Sequence, residues 1–379
     1  MKKIRAVFIS EAIRRDSHAP LRFFKDVEPV HLYLNAPYGD MSKEDFFGSR
    51  QVKINNLLSE IIALKPDVIQ GAEPFGSKLS LKLAYISYKA ARKTGAKLVV
   101  PILENRPIEE RFNTFQKIIL KFFCKTYFNS ASAIVVLNRG AEVNVKRFAP
   151  EAKIKRGIVW GVWGVDTRLF KKVCGKKPNT IIYVGRWIED KGLKYMLEGF
   201  KKAQEKIPNL LLRLAGQGDF EGYMRDYCGT NNLEKNVEFI GMVKNTALPK
   251  YFSEAELSIY PSITQKRWEE QVGTVNFQSM ACETPALTTK SGAIPEYLQD
   301  GEGAILVDER DSEAIYGGII SYFASKEKTK LQRRARQFVM RYDIKGEIEK
   351  AEKLFIEVCK KNKGVHREQE RVASNNINN

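Results

Sequence analysis

Histidine is nearly absent from this chain: His18, His31 and His366 are the three among 379 residues. A mechanism built on a histidine base therefore has few candidates, and a histidine-centred triad has little to draw on. Cysteine is sparse too. Cys124, Cys174, Cys228, Cys282 and Cys359 stand singly, with no CxxC spacing and no neighbouring histidine. That pattern argues against a disulfide framework or a zinc site and for reduced, mostly buried thiols. No apolar run approaches the length needed to cross a bilayer. Residues Met1 to Arg5 open like the basic end of a secretion signal. The apolar stretch that follows, Ala6 to Ser10, is too short before Glu11 and Arg14, so a cytoplasmic protein is expected.

Positive charge is plentiful. Lysine and arginine number 63 against 45 acids, a formal net charge of +18. Such an excess implies an anionic partner: nucleic acid, an anionic membrane surface or a phosphorylated substrate. No RNA- or DNA-binding motif and no aromatic-basic interleaving is present, so nucleic acid is not expected. A lysine-rich surface that only keeps the protein soluble is the competing explanation. Gln116 to Phe128 reads as an amphipathic helix with Lys117, Lys121 and Lys125 at i, i+4, i+8. It could lie on an anionic membrane, peripherally, or simply cover a sheet with its lysines in water.

A chain of 379 residues is too long for one ordinary core, so two domains are expected. Short β-branched runs alternate with amphipathic helical stretches. Ile4–Ile9, Pro29–Leu34, Asp67–Gln70, Lys97–Val100 and Ala133–Leu137 read as strands of a first domain, residues 1–163. Thr180–Val184, Leu210–Ala215, Val237–Ile240, Leu257–Tyr260 and Pro285–Thr289 do so in a second, residues 164–342. Strand-helix alternation at this spacing predicts two doubly wound parallel α/β sheets. Gly161 to Lys177 reads as the linker. A helix over residues 343–361 is expected to cross back to the first domain, and the polar residues 362–379 to be disordered.

The most informative segment runs from Trp268 to Glu296. An acid, Glu270, sits in a loop; Gly273 follows, then a helical run from about Thr274 to Ala281. A helix N-terminus offers unpaired N–H groups and a positive dipole end to an anion. Gly273 lets backbone approach a ligand closely, and a nearby acid can hydrogen-bond hydroxyls. Hydroxyls plus an anion describe a sugar joined to a phosphate. The segment resembles the donor-site signature of family 4 glycosyltransferases, a retaining group with the GT-B fold. Glu270, Gly273, Met280, Ala281, Cys282, Thr284 and Pro285 fall in register. Two positions depart: Gln278 stands where the family has a second acid that holds the ribose, and Glu283 where it has glycine.

Other stretches fit the same resemblance. Tyr183 to Gly192, YVGRWIEDKG, resembles the family's Gly-Arg…Lys-Gly motif, in which Gly185 turns the chain and Arg186 and Lys191 neutralise a leaving diphosphate. The alternative is an ordinary surface pair between Arg186 and Glu189 or Asp190. Gly164 to Phe170 resembles the family hinge. Leu214 to Gly222 mimics a dinucleotide fingerprint with the wrong spacing; the resemblance places Gly216 beside the nucleotide, though a purely structural turn is the rival. Met242 and Val243 could flank the base or pack in a core. Thr274, Val275 and Gln278 complete the donor-side set.

On the first domain, Glu73 and Glu104-Asn105 follow strands whose ends should face a ligand. Family members often carry a histidine after the fourth strand, where this chain has Leu103-Glu104-Asn105. Glu104 is a catalytic candidate, for the face of the sugar away from the leaving group, and Glu73, Asn105 and, from the first loop, His18 are the acceptor-side candidates. Each has the plainer reading of a loop side chain, His18 as a solvated one.

Together the resemblance implies a GT-B fold of two Rossmann-like domains facing a central cleft. It implies a retaining transferase that moves a sugar from a nucleotide-diphosphate sugar to a hydroxyl of a glycan or lipid-linked acceptor. No Asp-x-Asp occurs, so neither a bridging metal nor any other cofactor is expected, and Arg186, Lys191 and the helix end after Gly273 would hold the diphosphate. A nucleotide-sugar epimerase and a non-catalytic nucleotide-sugar-binding protein remain as alternatives.

Overall fold

A computed structural model describes residues 2–38, 41, 43–157 and 164–375. The chain divides into two compact units. One is Met1–Trp163 with Lys345–Asn379; the other is Gly164–Ile344. Residues 161–163 of the expected linker lie outside the described residues.

The first unit holds β1 (Ile4–Arg14), β2 (Val27–Tyr38), β3 (Ser49–Gln51), β4 (Val68–Gln70), β5 (Lys97–Ile102), β6 (Ala133–Val136) and β7 (Ile154–Arg156). They form one parallel sheet in the order β3-β2-β1-β4-β5-β6-β7. Ala6 to Ile9 in β1 are all buried. A sheet covered on both faces demands such a continuous apolar run rather than alternation. The C-terminal helix Ile344–Asn375 joins this unit from Lys345 onward. Its Phe355 ring stacks on Phe24 with centroids 5.9 Å apart. Glu352 Oε1 accepts N–H groups of Lys25 (2.8 Å), Asp26 (2.7 Å) and Val27 (3.2 Å), satisfying the donors that lead into β2.

The second unit holds β8 (Thr180–Val184), β9 (Leu211–Ala215), β10 (Val237–Gly241), β11 (Leu257–Tyr260), β12 (Ala286–Thr289) and β13 (Ala304–Val307). They too form a parallel sheet, in the order β10-β9-β8-β11-β12-β13. Two Rossmann-like α/β units of this kind are the fold class that the sequence pattern implies.

Three strands escape sequence reading. β3 and β7 are three-residue edge strands, and β13 is a four-residue edge strand. Edges are kept short and, in β3 and β7, polar, so little hydrophobic signal remains. The C-terminal helix runs through Asn375, past the residue 361 at which the sequence reading ends it. Residues 367–371 are all strong helix formers and no proline stops the helix. Residues 376–379 lie outside the described residues.

Candidate functional site

In the second sheet the strand order reverses between β8 and β11, so the loops leaving these two strands diverge and open a crevice. Open α/β sheets bind ligands at this point. A pocket of about 270 Å³ lies here. From the β8 side it is lined by Tyr183, Gly185, Arg186 and Lys191; from the β11 side by Tyr260, Ser262 and Glu270. Gly273, Thr274, Val275 and Asn276 line it from the start of the next helix.

Two cations enter this pocket by different routes. The Arg186 side chain is exposed, and its guanidinium makes no ion pair with Glu189, Asp190 or any other described residue. The surface-pair alternative is therefore not what the structure shows. The Arg186 carbonyl is fixed instead: buried Tyr183 donates its hydroxyl to it at 2.7 Å. Burial, then the nearby Glu270 carboxylate, push that hydroxyl well above its ordinary pKa, so it stays a donor. Lys191 is largely enclosed. Its Nζ lies 2.5 Å from Glu270 Oε1 and 4.3 Å from the centroid of the Trp268 ring. Gly192 holds Lys191 in place. It adopts φ +64°, and a Cβ there would stand 1.9 Å from the Pro261 carbonyl oxygen, so the turn can close on β11 only with glycine.

Glu270 is anchored along its length. Oε1 also accepts the Ser262 hydroxyl at 2.7 Å, and its carbonyl accepts the Ala293 N–H at 2.8 Å. Three residues on, Gly273 (φ +72°) caps the helix Thr274–Ala281. Thr274 and Val275 open that helix at the pocket, where the first turn lacks intrahelical acceptors for its N–H groups, while the Asn276 N–H is taken by the Gly273 carbonyl at 3.0 Å. The other end of the helix explains Glu283. Thr284 N–H reaches Ser279 O at 3.1 Å and Glu283 N–H reaches Met280 O at 3.0 Å. These two bonds define a Schellman cap, with Glu283 at the left-handed position, φ +58°. Glycine is the unstrained residue there, and this chain carries glutamate, paired with Lys172 at 3.1 Å. Gln278 is half-buried one turn beyond Thr274 and does not line the pocket.

The loops after β8, β9 and β10 interlock. Gly185 N–H donates to Ala215 O (3.0 Å), and Gly216 N–H donates to Gly241 O (2.8 Å). A Cβ on Gly216 would meet Gly185 O at 1.9 Å, so Gly216 holds the neighbouring loop in contact rather than leaving space there. Just beyond β10, Met242 is 68% exposed and Val243 half-buried. Core packing, one of the two sequence readings of Met242, is corrected: β10 is an edge strand, and Met242 just past its end is largely exposed.

The acceptor-side candidates lie in the first unit. Glu73 follows β4, and its Oε1 accepts the N–H groups of Leu103 (2.9 Å) and Glu104 (2.7 Å), which follow β5. Burial pushes its pKa up to about 7, opposed by those two N–H groups and reinforced by the Glu104 charge. Glu104 is buried, with one oxygen taking the Arg106 N–H at 3.0 Å and the other the Arg111 guanidinium. Asn105 is buried between these loops. The structure thus brings Glu73, Glu104 and Asn105 together. The solvated-loop reading of His18 is corrected. His18 is buried rather than solvated, its Nε2 bonded to Phe47 O at 2.7 Å and its Nδ1 to His31 Nδ1 at 2.9 Å. Burial lowers the pKa of both rings, so the pair is neutral and internal.

Sequence reasoning passed over Tyr183, Ser262, Trp268 and Asn276. Ser262 and Tyr183 lie at strand ends, a positional signal that could have found them; the Trp268 ring reaches Lys191 only through folding.

Residues 166–338 match the model of the glycosyl transferases group 1 family. An uncharacterized glycosyltransferase of Methanocaldococcus jannaschii is 28% identical over 182 residues, 45% of each chain. The amylovoran biosynthesis glycosyltransferase AmsK of Erwinia amylovora is 24% identical over 140 residues, 37% of this chain and 34% of AmsK. The chain therefore spans less than half the length of these curated relatives. The Anabaena protein HepE, solved in complex with UDP, superposes with a TM-score of 0.72 at 15% identity, covering 93% of this chain and 99% of HepE. The fold is thus that of the GT-B proteins, and the stretch that resembles the glycosyl transferases group 1 family, residues 166–338, is the part of the second unit that carries the Lys191–Glu270 pocket.

Proposed function

We propose that this protein is a retaining glycosyltransferase that moves a sugar from a nucleotide-diphosphate sugar to a hydroxyl of a glycan or lipid-linked acceptor. The observation that carries the reading is the Lys191–Glu270 pair beside the first turn of the Thr274–Ala281 helix, at the point where the strand order reverses. A donor combines hydroxyls, which an anchored carboxylate accepts, with a diphosphate, which two cations and a helix N-terminus attract. Arg186, exposed and in no ion pair with a described residue, would reach that diphosphate; Lys191 would exchange part of its bond to Glu270 for a phosphate oxygen.

As the glycosidic bond breaks, negative charge collects on the leaving diphosphate and positive charge on the sugar. Arg186 and Lys191 stabilise the first, and Glu270 the second. An acceptor hydroxyl attacking from the leaving group's own face can pass its proton to a phosphate oxygen, which gives retention without a histidine base. We read the transfer as needing no metal or other cofactor, because these cations do the neutralising. Gln278 would contact the ribose through its amide, which both donates and accepts. Gly216, Met242 and Val243 would flank the nucleotide. Glu73, Glu104 and Asn105 would shape the acceptor side.

Thermal-shift measurements with UDP, GDP, ADP and their sugars test the reading, since a ligand of the folded state raises stability by mass action. One nucleotide series should raise the midpoint in wild type and not in Lys191→Ala; no shift with any of them would reject it. Substantial turnover of the donor without acceptor would favour an epimerase, and binding with no transfer to any acceptor a non-catalytic binder.

A further inference from the structure

Two helices of the first unit, Lys78–Thr94 and Thr114–Ser130, pack side by side, joined where the Tyr85 and Phe123 rings meet edge to face at 6.2 Å. Neither contains a single aspartate or glutamate. The second buries Leu120, Cys124, Tyr127 and Phe128 against the core. Its opposite face is apolar as well. Phe115 is 71% exposed, Ile118 51%, Ile119 43% and Phe122 73%. Their i, i+3, i+4, i+7 spacing sets them in one ridge. Monomeric soluble proteins rarely leave such a patch in water without use. Lys121 and Lys125 on the same helix, and Lys78, Lys82, Lys89, Arg92 and Lys93 on its neighbour, are exposed around it. Lys89 lies over the exposed Tyr85 ring, 5.0 Å from its centroid.

We infer that this face docks on an anionic lipid bilayer, the Phe115–Phe122 ridge entering the headgroup–acyl boundary while the surrounding cations meet lipid phosphates. Charge complementarity selects this occupant. A second copy of the chain would set the same acid-free cationic rim against itself, with like charges opposed. An apolar ridge with a basic rim is what an interfacial helix requires. No described helix is long and apolar enough to cross a membrane, so the attachment is peripheral. The inference stands apart from the donor-site reading: it concerns the first unit and is measured without nucleotide.

The test is co-sedimentation of the full chain with vesicles of phosphatidylcholine, with and without phosphatidylglycerol, at low and high salt. Binding should need phosphatidylglycerol and weaken with salt. The Phe115→Ser, Phe122→Ser double variant should bind about ten-fold less tightly or worse, with an unchanged circular dichroism spectrum because both side chains are exposed. Lys121→Gln with Lys125→Gln should flatten the salt dependence. Phe122→Trp should add tryptophan fluorescence, over the wild-type signal, that brominated phosphatidylglycerol vesicles quench. Absence of wild-type binding at low salt, equal binding to both vesicle types, no quenching, or a concentration-dependent dimer abolished by the serine variant would each overturn the inference.

Discussion

The Lys191 ammonium and the Glu270 carboxylate stand 2.5 Å apart, though sequence reasoning assigns them to different parts of a ligand. One is expected at a diphosphate and the other at sugar hydroxyls. Their direct contact means that each holds the other in place before anything binds. The Arg186 guanidinium, in contrast, pairs with no described acid. Arg186→Ala and Lys191→Ala should each cost about 2–4 kcal/mol of transition-state stabilisation, roughly 30- to 1,000-fold in rate. Their thermal midpoints should differ. Arg186→Ala leaves stability alone, whereas Lys191→Ala strands a largely enclosed Glu270 and lowers it. Near-normal kinetics in both variants would remove the diphosphate assignment.

Glu270→Gln should impair turnover strongly, because a neutral amide cannot stabilise the developing positive charge and turns the ion pair with Lys191 into a weaker neutral-acceptor hydrogen bond. Gln278→Glu should leave turnover intact or tighten nucleotide binding, since it supplies the second acid of the family signature that this segment resembles. Steady-state kinetics of the two variants decide the register; harmless Glu270→Gln with inactive Gln278→Glu would mean it is shifted.

Glu283 occupies a left-handed helix-capping position at φ +58°. A non-glycine residue there is strained by about 1–2 kcal/mol, while its exposed pair with Lys172 contributes little. Glu283→Gly should therefore raise stability by roughly 0.5–1 kcal/mol. Gly192→Ala should do the reverse and lower it by more, since its Cβ would strike the Pro261 carbonyl oxygen. Urea unfolding of both variants checks the pair, with a destabilised Glu283→Gly as the contrary result.

Glu73 supplies a pH test. Its folded pKa is about 7, above its unfolded value, so the folded protein binds this proton more tightly. The stability this gives is full below the ordinary carboxyl range and is lost as pH rises toward about 7. Glu73→Gln keeps an oxygen for the Leu103 and Glu104 N–H groups but cannot ionise. Relative to wild type it should gain stability at pH 8 and show no gain at pH 4, read by calorimetry. An equal effect at both pH values would mean Glu73 is not the titrating group.

Much of this was legible beforehand because parallel strands announce themselves. β1, β8 and β11 are buried on both faces and read as apolar runs between polar loops. Lys191, Glu270 and Gly273 were legible because their loops carry short motifs. The short edge strands β3 and β7 were not, having little apolar surface to show. Nor was His18: only the fold brings His31, 13 residues away, against its ring. The solvent exposure of Phe115 and Phe122 was also hidden, since an apolar residue on a helix is ordinarily taken to face a core.

The central claim is that the second-unit pocket drives sugar transfer from a nucleotide-diphosphate sugar. The most direct measurement follows nucleoside diphosphate release and the anomer of the transferred sugar by proton NMR, in EDTA, for wild type and the Arg186→Ala, Lys191→Ala double variant. The expected result is release by wild type, a product with the donor's anomeric configuration, and loss of both in the variant. No release from any nucleotide sugar, an inverted product, or activity restored only by magnesium or manganese would contradict it.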